Sequence, residues 1–279
     1  MSKTINIEKV IQDKSPSLAR FMPAFMINYL KRIIHQDEFN TNIVKYEQLE
    51  GISFIEASLN DINVKIETEG LENIHKKDRL IIASNHPLGG LDGLALMLAV
   101  SKKRNDIIFP VNDILMNVKN LQPLFIPINK HGSNSDNIQI INDTFASDKI
   151  VCYFPFGLVS RKKNGKIMDL EWKTTFVTKA KRFKRAIIPT FIEGRNSNFF
   201  YNLSNLRKAL GVKVNIEMLF LVDEMYKQRD SVLKIVFGTP IPYDTFDARH
   251  TKSEWAELLR QHSYKLAEDS KARFEYLKS

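Results

Sequence analysis

Short apolar runs recur along the chain from residue 62 onward, and the stretches between them carry apolar residues at helical spacing. The runs are rich in Ile, Val, Leu and Phe with little polar alternation, which is typical of strands buried on both faces of a sheet. The predicted strands are Ile62 to Thr68, Arg79 to Ser84, Asp106 to Val111, Leu124 to Ile128, Ile150 to Phe154, Ala186 to Ile192, Ile216 to Leu221 and Leu233 to Phe237.

Helical patterns lie between or after these runs. The predicted helices are Leu91 to Lys102, Ile114 to Val118, Asp136 to Ala146, Trp172 to Phe183, Leu203 to Leu210 and Trp255 to Leu277. Asn196 to Asn205 is predicted to be a surface loop with aromatic character. This alternation favours an α/β fold with a mostly parallel sheet covered by helices, in which functional residues gather at strand ends.

The N-terminal part shows a different pattern. Leu18 to Ile34 carries Phe, Met, Tyr and Leu at a three-and-four spacing, with basic residues on the other side, and predicts an amphipathic helix entered or kinked at Pro23. Such a helix either packs on the domain or lies in a membrane interface with its apolar face. We expect residues 1–60 to form a helical, membrane-interacting extension and residues 61–279 to form the α/β domain.

Composition narrows the setting. The chain has 279 residues, 43% hydrophobic residues and a single cysteine, Cys152. This content excludes a disordered chain, and one cysteine excludes an intrachain disulfide. The longest nearly uncharged apolar stretch, Leu94 to Val100, is far shorter than the ~20 residues that a spanning helix needs. With no leader pattern at the N-terminus, we expect a cytoplasmic protein that is peripheral on the inner membrane.

The segment Ile81 to Gly93 reads IIASNHPLGGLDG and combines a strand with a glycine-rich turn and a helix start. It places His86 and Asp92 at the C-terminal edge of a predicted strand. Imidazole accepts protons near neutral pH, and a carboxylate beside its second nitrogen fixes the tautomer and stabilises the imidazolium. The pair is therefore a candidate base and orienting group. The alternative is a turn histidine beside an aspartate that only caps the helix.

Three further strand ends carry an apolar run, a proline and then polar or cationic groups. They are FIPINK at Phe125 to Lys130, YFPFGLVSR at Tyr153 to Arg161, and IIPTFIEGR at Ile187 to Arg195. If these strands lie side by side, their ends converge on one edge of the sheet. The residues expected there are His86, Asp92, Lys130, Gly157, Arg161, Glu193 and Arg195.

The chain is basic, with 41 Lys and Arg against 32 Asp and Glu and a formal charge of +9. The densest basic runs are Arg161 to Lys166 and Lys179 to Arg185. This excess indicates an acidic partner, such as an anionic lipid surface, an acidic carrier protein or nucleic acid. No nucleic-acid-binding signature accompanies the charge, so we do not expect a nucleic-acid partner.

The order of these motifs resembles that of the glycerolipid acyltransferase superfamily, typified by 1-acylglycerol-3-phosphate acyltransferase. NHPLGGLDG, FIPINK, FPFGLVSR and AIIPTFIEGR correspond to its four blocks, and GTPIPY at Gly238 to Tyr243 is similar to its last strand end. The stretch from FPFGLVSR to NLRKALG is more similar to the bacterial branch that acylates lyso-forms of amino-acid lipids such as glycine or ornithine lipids. Homologues of this branch are often labelled hemolysins.

The resemblance implies an O-acyltransferase in which His86 is the base and Asp92 its orienting partner. It implies an acyl carrier protein or coenzyme A thioester as co-substrate and a lyso-lipid acceptor on an anionic membrane, with no cofactor and no metal. Lys130, Gly157, Arg161 and Arg195 are the anion- and acceptor-binding candidates. For the oxyanion the candidates are Asn85, Gly89 and Gly90.

Three departures from the superfamily pattern bear on the acceptor. Five residues rather than four separate His86 from Asp92, Lys130 stands where the second block has Arg, and Phe156 replaces the third-block Glu. Loss of that carboxylate favours a monoacylated amino-acid lipid as acceptor over lysophosphatidic acid, which remains the alternative. One other interpretation stays open, a non-catalytic basic membrane-binding protein. A thiol enzyme that uses Cys152 with His86 is disfavoured, because Cys152 lies in an apolar strand pattern where a thiol is usually buried and inert.

Overall fold

The computed structural model describes residues 6–112, 115–128 and 134–276. In these ranges the helices are α1 (Ile7–Lys14), α2 (Pro16–Phe21), α3 (Ala24–Ile33), α4 (Gln36–Lys45), α5 (Gly51–Asp61), α6 (Gly90–Ser101), α7 (Asn134–Ala146), α8 (Thr175–Phe183), α9 (Asn198–Ala209), α10 (Leu221–Tyr226) and α11 (Lys252–Lys265). The strands are β1 (Lys65–Glu69), β2 (Leu80–Ser84), β3 (Ile107–Val111), β4 (Phe125–Pro127), β5 (Ile150–Tyr153), β6 (Arg161–Lys163), β7 (Lys166–Met168), β8 (Ala186–Ile192) and β9 (Val232–Phe237).

The central sheet has seven strands in the order β1-β9-β8-β2-β5-β3-β4. Neighbouring strands are parallel except for β8 and β9, which are antiparallel. Strands β6 and β7 form a separate antiparallel hairpin. This arrangement confirms the predicted α/β fold. It also places the C-terminal ends of β2, β5 and β8 at one edge, because these strands are parallel neighbours.

Helices cover both faces of the sheet. Successive residues of β2 point to opposite faces, so Ile82 packs in the core that includes α5 and α6, whereas Ile81 packs in the core with α8 and α11. Both side chains are fully buried. The continuous apolar runs of the inner strands β2 and β3 therefore arise because these strands have no solvent-facing side.

The amphipathic helix predicted over Leu18 to Ile34 is divided into α2 and α3 at Pro23, where an entry or kink was predicted. Met22 and Pro23 are extended, with ψ of 120° and 147°, and separate α2 from α3. Proline lacks an N–H and disfavours helical backbone at the preceding residue, which explains the break. Helices α4 and α5 contribute Ile43, Phe54 and Ile55 to the same core as the sheet. The division of the chain at residue 60 stays a prediction. No helix in the described ranges is long and apolar enough to cross a membrane.

Three sequence-based assignments were wrong. Ile216–Phe220 is a 3₁₀ helix rather than a strand, and its Glu217 is fully buried beside two arginines. The predicted loop at residues 196–205 mostly forms α9, whose first turn is capped by Ser197 accepting from the N–H of Phe200. Helix α11 ends at Lys265 rather than near Leu277. In the first two cases the deciding contacts are the ion pairs of Glu217 and the Ser197 cap, which hydrophobic spacing does not encode.

Candidate active site

The turn between β2 and α6 has the geometry that its glycines predict. Gly89 has φ of 91°, and a Cβ there would lie 3.0 Å from Leu221 Cδ2, so both the backbone angle and the space require glycine. Gly90 begins α6 in open space. The turn therefore lifts His86 to the sheet edge and returns the chain so that the first turn of α6 faces it.

His86 and Asp92 are hydrogen-bonded. The Nδ1 atom of His86 lies 3.0 Å from Oδ1 and 3.1 Å from Oδ2 of Asp92. The Asp92 carboxylate is fully buried and also accepts the backbone N–H groups of Leu88 and Gly89 at 2.8 and 3.3 Å. One carboxylate thus caps α6 and orients the imidazole. With a hydrogen on Nδ1 for the carboxylate, Nε2 is the atom that can accept a proton.

Phe154 fixes the plane of the imidazole. Its ring follows β5 and stacks on His86 with centroids 4.0 Å apart and an interplanar angle of 19°. Phe109 holds Phe154 from the side in an edge contact at 5.1 Å. The His86 side chain keeps 16% of its surface exposed. It is therefore held on one face and at Nδ1 while remaining accessible from solvent.

A second buried carboxylate, Asp169, holds the backbone of His86. Its Oδ1 accepts the Ser160 hydroxyl at 2.6 Å and the His86 N–H at 3.3 Å, and its Oδ2 accepts Trp172 Nε1–H at 2.8 Å. The Ser160 N–H in turn donates to the His86 carbonyl at 2.8 Å. Burial raises the pKa of Asp169. Sequence reasoning missed this residue because it lies outside the four motif blocks and 83 residues from His86.

The oxyanion candidates differ in how their polar groups are used. Both polar atoms of the Asn85 side chain bind β8: its Nδ2 donates to the Ile192 carbonyl at 2.9 Å and its Oδ1 accepts the Ile192 N–H at 2.7 Å. The Gly89 N–H is directed at Asp92. Gly90 starts a helix, where backbone N–H groups favour negative charge. An oxyanion role in this turn stays a prediction, and Gly90 suits it best.

Arg161 is buried, so it is not exposed to bind a lipid head group. It is 3% exposed, donates to the Val159 carbonyl at 2.9 Å and pairs with Glu217 Oε1 at 3.0 Å. Arg207 Nε binds the other oxygen of Glu217 at 2.8 Å. Burial lowers the pKa of Arg161. The structure therefore assigns it to a buried Arg–Glu–Arg cluster, and a head group reaches it only if that cluster opens.

Arg195 is an exposed cation beside the turn. It follows β8 and donates to Asn198 Oδ1 at 2.9 Å. The preceding Gly194 approaches Leu88 so closely that a Cβ would lie 2.8 Å from its Cδ1. Asn196 donates to the Pro87 carbonyl at 3.2 Å. These contacts bring the loop after β8 against the His86 turn. Glu193 is exposed at the start of the same loop.

The third motif supplies a turn and a core residue. The Gly157 N–H closes a turn on the Phe154 carbonyl at 3.0 Å, with φ of 69° at Gly157. A Cβ on Gly157 would lie 3.1 Å from Lys173 Nζ, so an unpredicted cation stands beside this turn. Phe156 is 8% exposed and packs in the core. The Phe156 ring is therefore part of the core rather than exposed at the turn. Lys130 lies outside the described residues.

Two other sequence features are structural. Cys152 is fully buried in β5, and burial raises its thiol pKa, which argues against a thiolate nucleophile. Arg185, the last residue of the second basic run, is also fully buried and binds the carbonyls of Phe145 and Lys149 at 2.7 Å each. Part of that run is therefore buried, because Arg185 holds the end of α7 and the residue before β5, and the run is not wholly a surface patch.

Comparison with known proteins identifies the family. The acyltransferase family model matches residues 9–272. The lyso-glycine lipid O-acyltransferase of Phocaeicola vulgatus is 46% identical over 264 residues, covering 94% of this chain and 95% of that protein. The same-named protein of Bacteroides thetaiotaomicron is 43% identical over 264 residues, covering 94% of this chain and 97% of that protein.

Among solved structures, the 1-acyl-sn-glycerophosphate acyltransferase PlsC of Thermotoga maritima is similar, with a TM-score of 0.46 and 14% sequence identity. The match covers 89% of this chain and 94% of that chain. The family match across nearly the whole chain decides the assignment. The chain belongs to the acyltransferase family and is an acyl-transferring enzyme.

Proposed function

We propose that this enzyme transfers a fatty acyl group from an acyl thioester to the hydroxyl of a lyso-lipid, a monoacylated amino-acid lipid of the lyso-glycine type. The observation that carries the chemistry is the His86–Asp92 pair on an accessible sheet edge, with 3.0 Å between Nδ1 and Oδ1. The choice of acceptor is supported by the names of both relatives, each aligned with 94% of this chain. Phe156 packs in the core and gives no separate support to this choice.

In the proposed mechanism, His86 Nε2 removes the proton of the acceptor hydroxyl while that oxygen attacks the thioester carbonyl carbon. Asp92 stabilises the imidazolium as it forms. When the tetrahedral intermediate collapses, the carbon–sulfur bond breaks and the imidazolium returns its proton to the leaving thiolate. The products are the diacylated lipid and the free carrier thiol. The Gly90 N–H at the start of α6 is the proposed oxyanion donor.

Exposed cations beside the turn suit the anionic parts of both substrates. Arg195 and Lys173 lie on the two loops that flank the His86 turn. A guanidinium matches a carboxylate as well as a phosphate, so Arg195 is the proposed ligand of the acceptor's carboxylate. The acyl donor is proposed to be acyl carrier protein or coenzyme A.

The N-terminal helices are proposed to dock the enzyme on an anionic membrane, which would make it peripheral on the inner membrane. Phe21 and Phe25 are 80% and 72% exposed, and Met26 and Tyr29 are 43% exposed each. Exposed aromatic side chains on a basic amphipathic helix are typical of interfacial binding. Helix α3 also carries Lys31 and Arg32 in its last turn.

The decisive experiment gives the purified enzyme two acceptors in direct competition, a lyso-glycine lipid and lysophosphatidic acid, with acyl carrier protein or coenzyme A as acyl carrier. We expect a higher kcat/KM for the lyso-glycine lipid. A higher value for lysophosphatidic acid would overturn the acceptor and indicate phosphatidic acid synthesis. No transfer to either acceptor would overturn both candidates and indicate an acceptor of another class.

Matched variants test the residue roles in the same assay. His86→Ala and Asp92→Asn should lose about 10²- to 10⁴-fold in activity, the usual contribution of a general base and its partner. Cys152→Ala, in the neighbouring strand, is the control and should keep its activity. If His86→Ala stays within about threefold of the native enzyme, His86 is not the base.

A further inference from the structure

The 206–219 segment, which runs from the end of α9 into the 3₁₀ helix Ile216–Phe220, exposes a row of aliphatic side chains. Leu210 and Val214 are 69% and 71% exposed. The exposed aliphatic residues are Leu206, Leu210, Val212, Val214, Ile216 and Leu219. Soluble proteins rarely leave such side chains together in water unless they contact a partner or a membrane.

The segment is held firmly from beneath. Arg207 donates to the Val212 carbonyl at 2.6 Å and to Glu217 Oε2 at 2.8 Å. Arg161 binds the second oxygen of the same carboxylate. Met218 packs inward against the small core that contains Phe200. The buried ion cluster thus fixes the inner side, and the outward aliphatic row is a built feature of the fold.

This row is continuous with the proposed membrane face of α3. The Tyr29 ring meets the Phe220 ring edge-on at 6.4 Å, and Phe220 meets Phe199 at 5.0 Å. Leu221, the next residue, is the side chain that closes on Gly89 in the active-site turn. One apolar surface therefore runs from the N-terminal helices through the 206–219 segment to the edge that holds His86.

Charge indicates which occupant this surface fits. The exposed charged residues of the segment are Lys208 and Lys213, while Arg207 and Glu217 are buried and paired. Lysines between aliphatic residues bury their stems and direct their ammonium groups to lipid phosphates. A second copy of the chain would instead bring these lysines together, which is unfavourable.

We propose that the 206–219 segment is a second membrane-docking element, which inserts its aliphatic row into the interface of an anionic bilayer and thereby holds the His86 edge against the lipid surface. The inference deepens the proposed function, on which it rests for the presence of the acceptor in the bilayer. It is argued from the exposed aliphatic row, the buried Arg161–Glu217–Arg207 cluster beneath it and the exposed lysines. Binding to vesicles tests it independently of acyl transfer.

The first test compares Leu210→Ser/Val214→Ser with Ile138→Ser/Ile140→Ser in the full chain. The control pair consists of exposed isoleucines on α7, 51% and 42% accessible, outside this surface. Sedimentation with phosphatidylglycerol–phosphatidylcholine vesicles should show about tenfold weaker binding for the first variant, from the lost aliphatic insertion, and native binding for the control. Equal binding of both variants would overturn the proposal. So would a changed oligomeric state of the first variant with unchanged vesicle binding.

The second test reports insertion directly. A polarity-sensitive fluorophore on Val214→Cys should shift to the blue on the same vesicles and be quenched by spin-labelled acyl chains. The fluorophore on Ile138→Cys should show neither change. The native Cys152 is fully buried and leaves the introduced thiol as the labelling site. No blue shift at residue 214 would overturn the proposal. Insertion in an enzyme that acylates no lyso-lipid would overturn the proposed function and leave this inference standing.

Discussion

At the residue scale, His86 is held by two carboxylates with different tasks. Asp92 binds the imidazole, whereas Asp169 binds the backbone N–H of His86 and the hydroxyl of Ser160, whose own N–H binds the His86 carbonyl. Asp169 is therefore a positioning residue, which acts through the peptide that carries the base. Small displacements of a reacting group slow catalysis strongly, so this buried network should matter for turnover.

Asp169→Asn tests this role. The amide cannot accept all three hydrogen bonds, so we expect kcat to fall about tenfold or more with little change in KM, since the substrate contacts remain. Unfolding by denaturant should also show a loss of about 1 to 3 kcal/mol for the unmet buried group. Ser160→Ala, which removes one donor to the same carboxylate, should produce a smaller loss of kcat. A higher KM with native kcat would contradict the positioning role.

The same substitution has a pH signature. Burial raises the pKa of Asp169 in the folded chain, so the unfolded chain releases this proton at lower pH, near 4. Between the two pKa values the folded state binds more protons, and its stability falls as pH rises. The Asn variant should lack this decrease from pH ~4 upward, as measured by the free energy of unfolding. An identical pH slope in both proteins would mean that Asp169 does not titrate in this window.

Residues that the sequence could place are those whose partner is local. His86 and Asp92 were predictable because a strand, a glycine turn and a helix start bring them together within one short segment. Asp169 lies 83 residues from His86 and was missed. Arg161 has the residue type of an anion ligand, but its environment depends on Glu217, 56 residues away. These roles depend on burial and on contacts between distant residues, which the spacing of residues along the sequence does not predict.

At the element scale, the runs buried on both faces were predicted well because continuous hydrophobicity has one common structural cause. Helices α2 and α3 and the 206–219 segment were harder, since several of their apolar side chains, such as Phe25 and Leu210, are exposed. Tyr29 and Phe199 reach each other only through Phe220. Apolar spacing alone does not distinguish a helix that packs inward from one that faces a membrane.

Phe21→Ser/Phe25→Ser tests the outward face of α2 and α3. These rings are 80% and 72% exposed, so their removal should leave the free energy of unfolding nearly unchanged. Vesicle binding should weaken about tenfold, because aromatic rings supply much of the interfacial affinity. Val44→Ser on α4, where the native side chain is 54% exposed, is the control. If the double variant sediments as fully as the native chain, these helices do not anchor the enzyme.

At the scale of the whole molecule, the net charge of +9 is not all on the surface, although the basic runs of the sequence suggest that it is. Arg161, Arg185 and Arg207 are buried, so their charges serve internal clamps. Besides Arg195 and Lys173, exposed cations lie on the β6–β7 hairpin, which follows directly from Ser160, the donor to Asp169. Lys163 and Lys166 are exposed there. This hairpin is the proposed contact for an acidic acyl carrier protein.

Charge reversal on the hairpin distinguishes acyl carrier protein from coenzyme A as the carrier of the acyl group. Lys163→Glu/Lys166→Glu should lower kcat/KM for acyl carrier protein thioesters and make it less dependent on salt, because the attractive charge of the hairpin is lost. The kcat/KM for the coenzyme A thioester should fall less, since its recognition needs no protein–protein surface. Neutral detergent micelles keep membrane charge out of the assay. Lys76→Glu/Lys77→Glu makes the same change of net charge in the exposed loop before β2, at the opposite end of that strand from His86. Equal losses in both variants would show that only total charge matters, and a loss confined to coenzyme A would place its binding site at the hairpin instead.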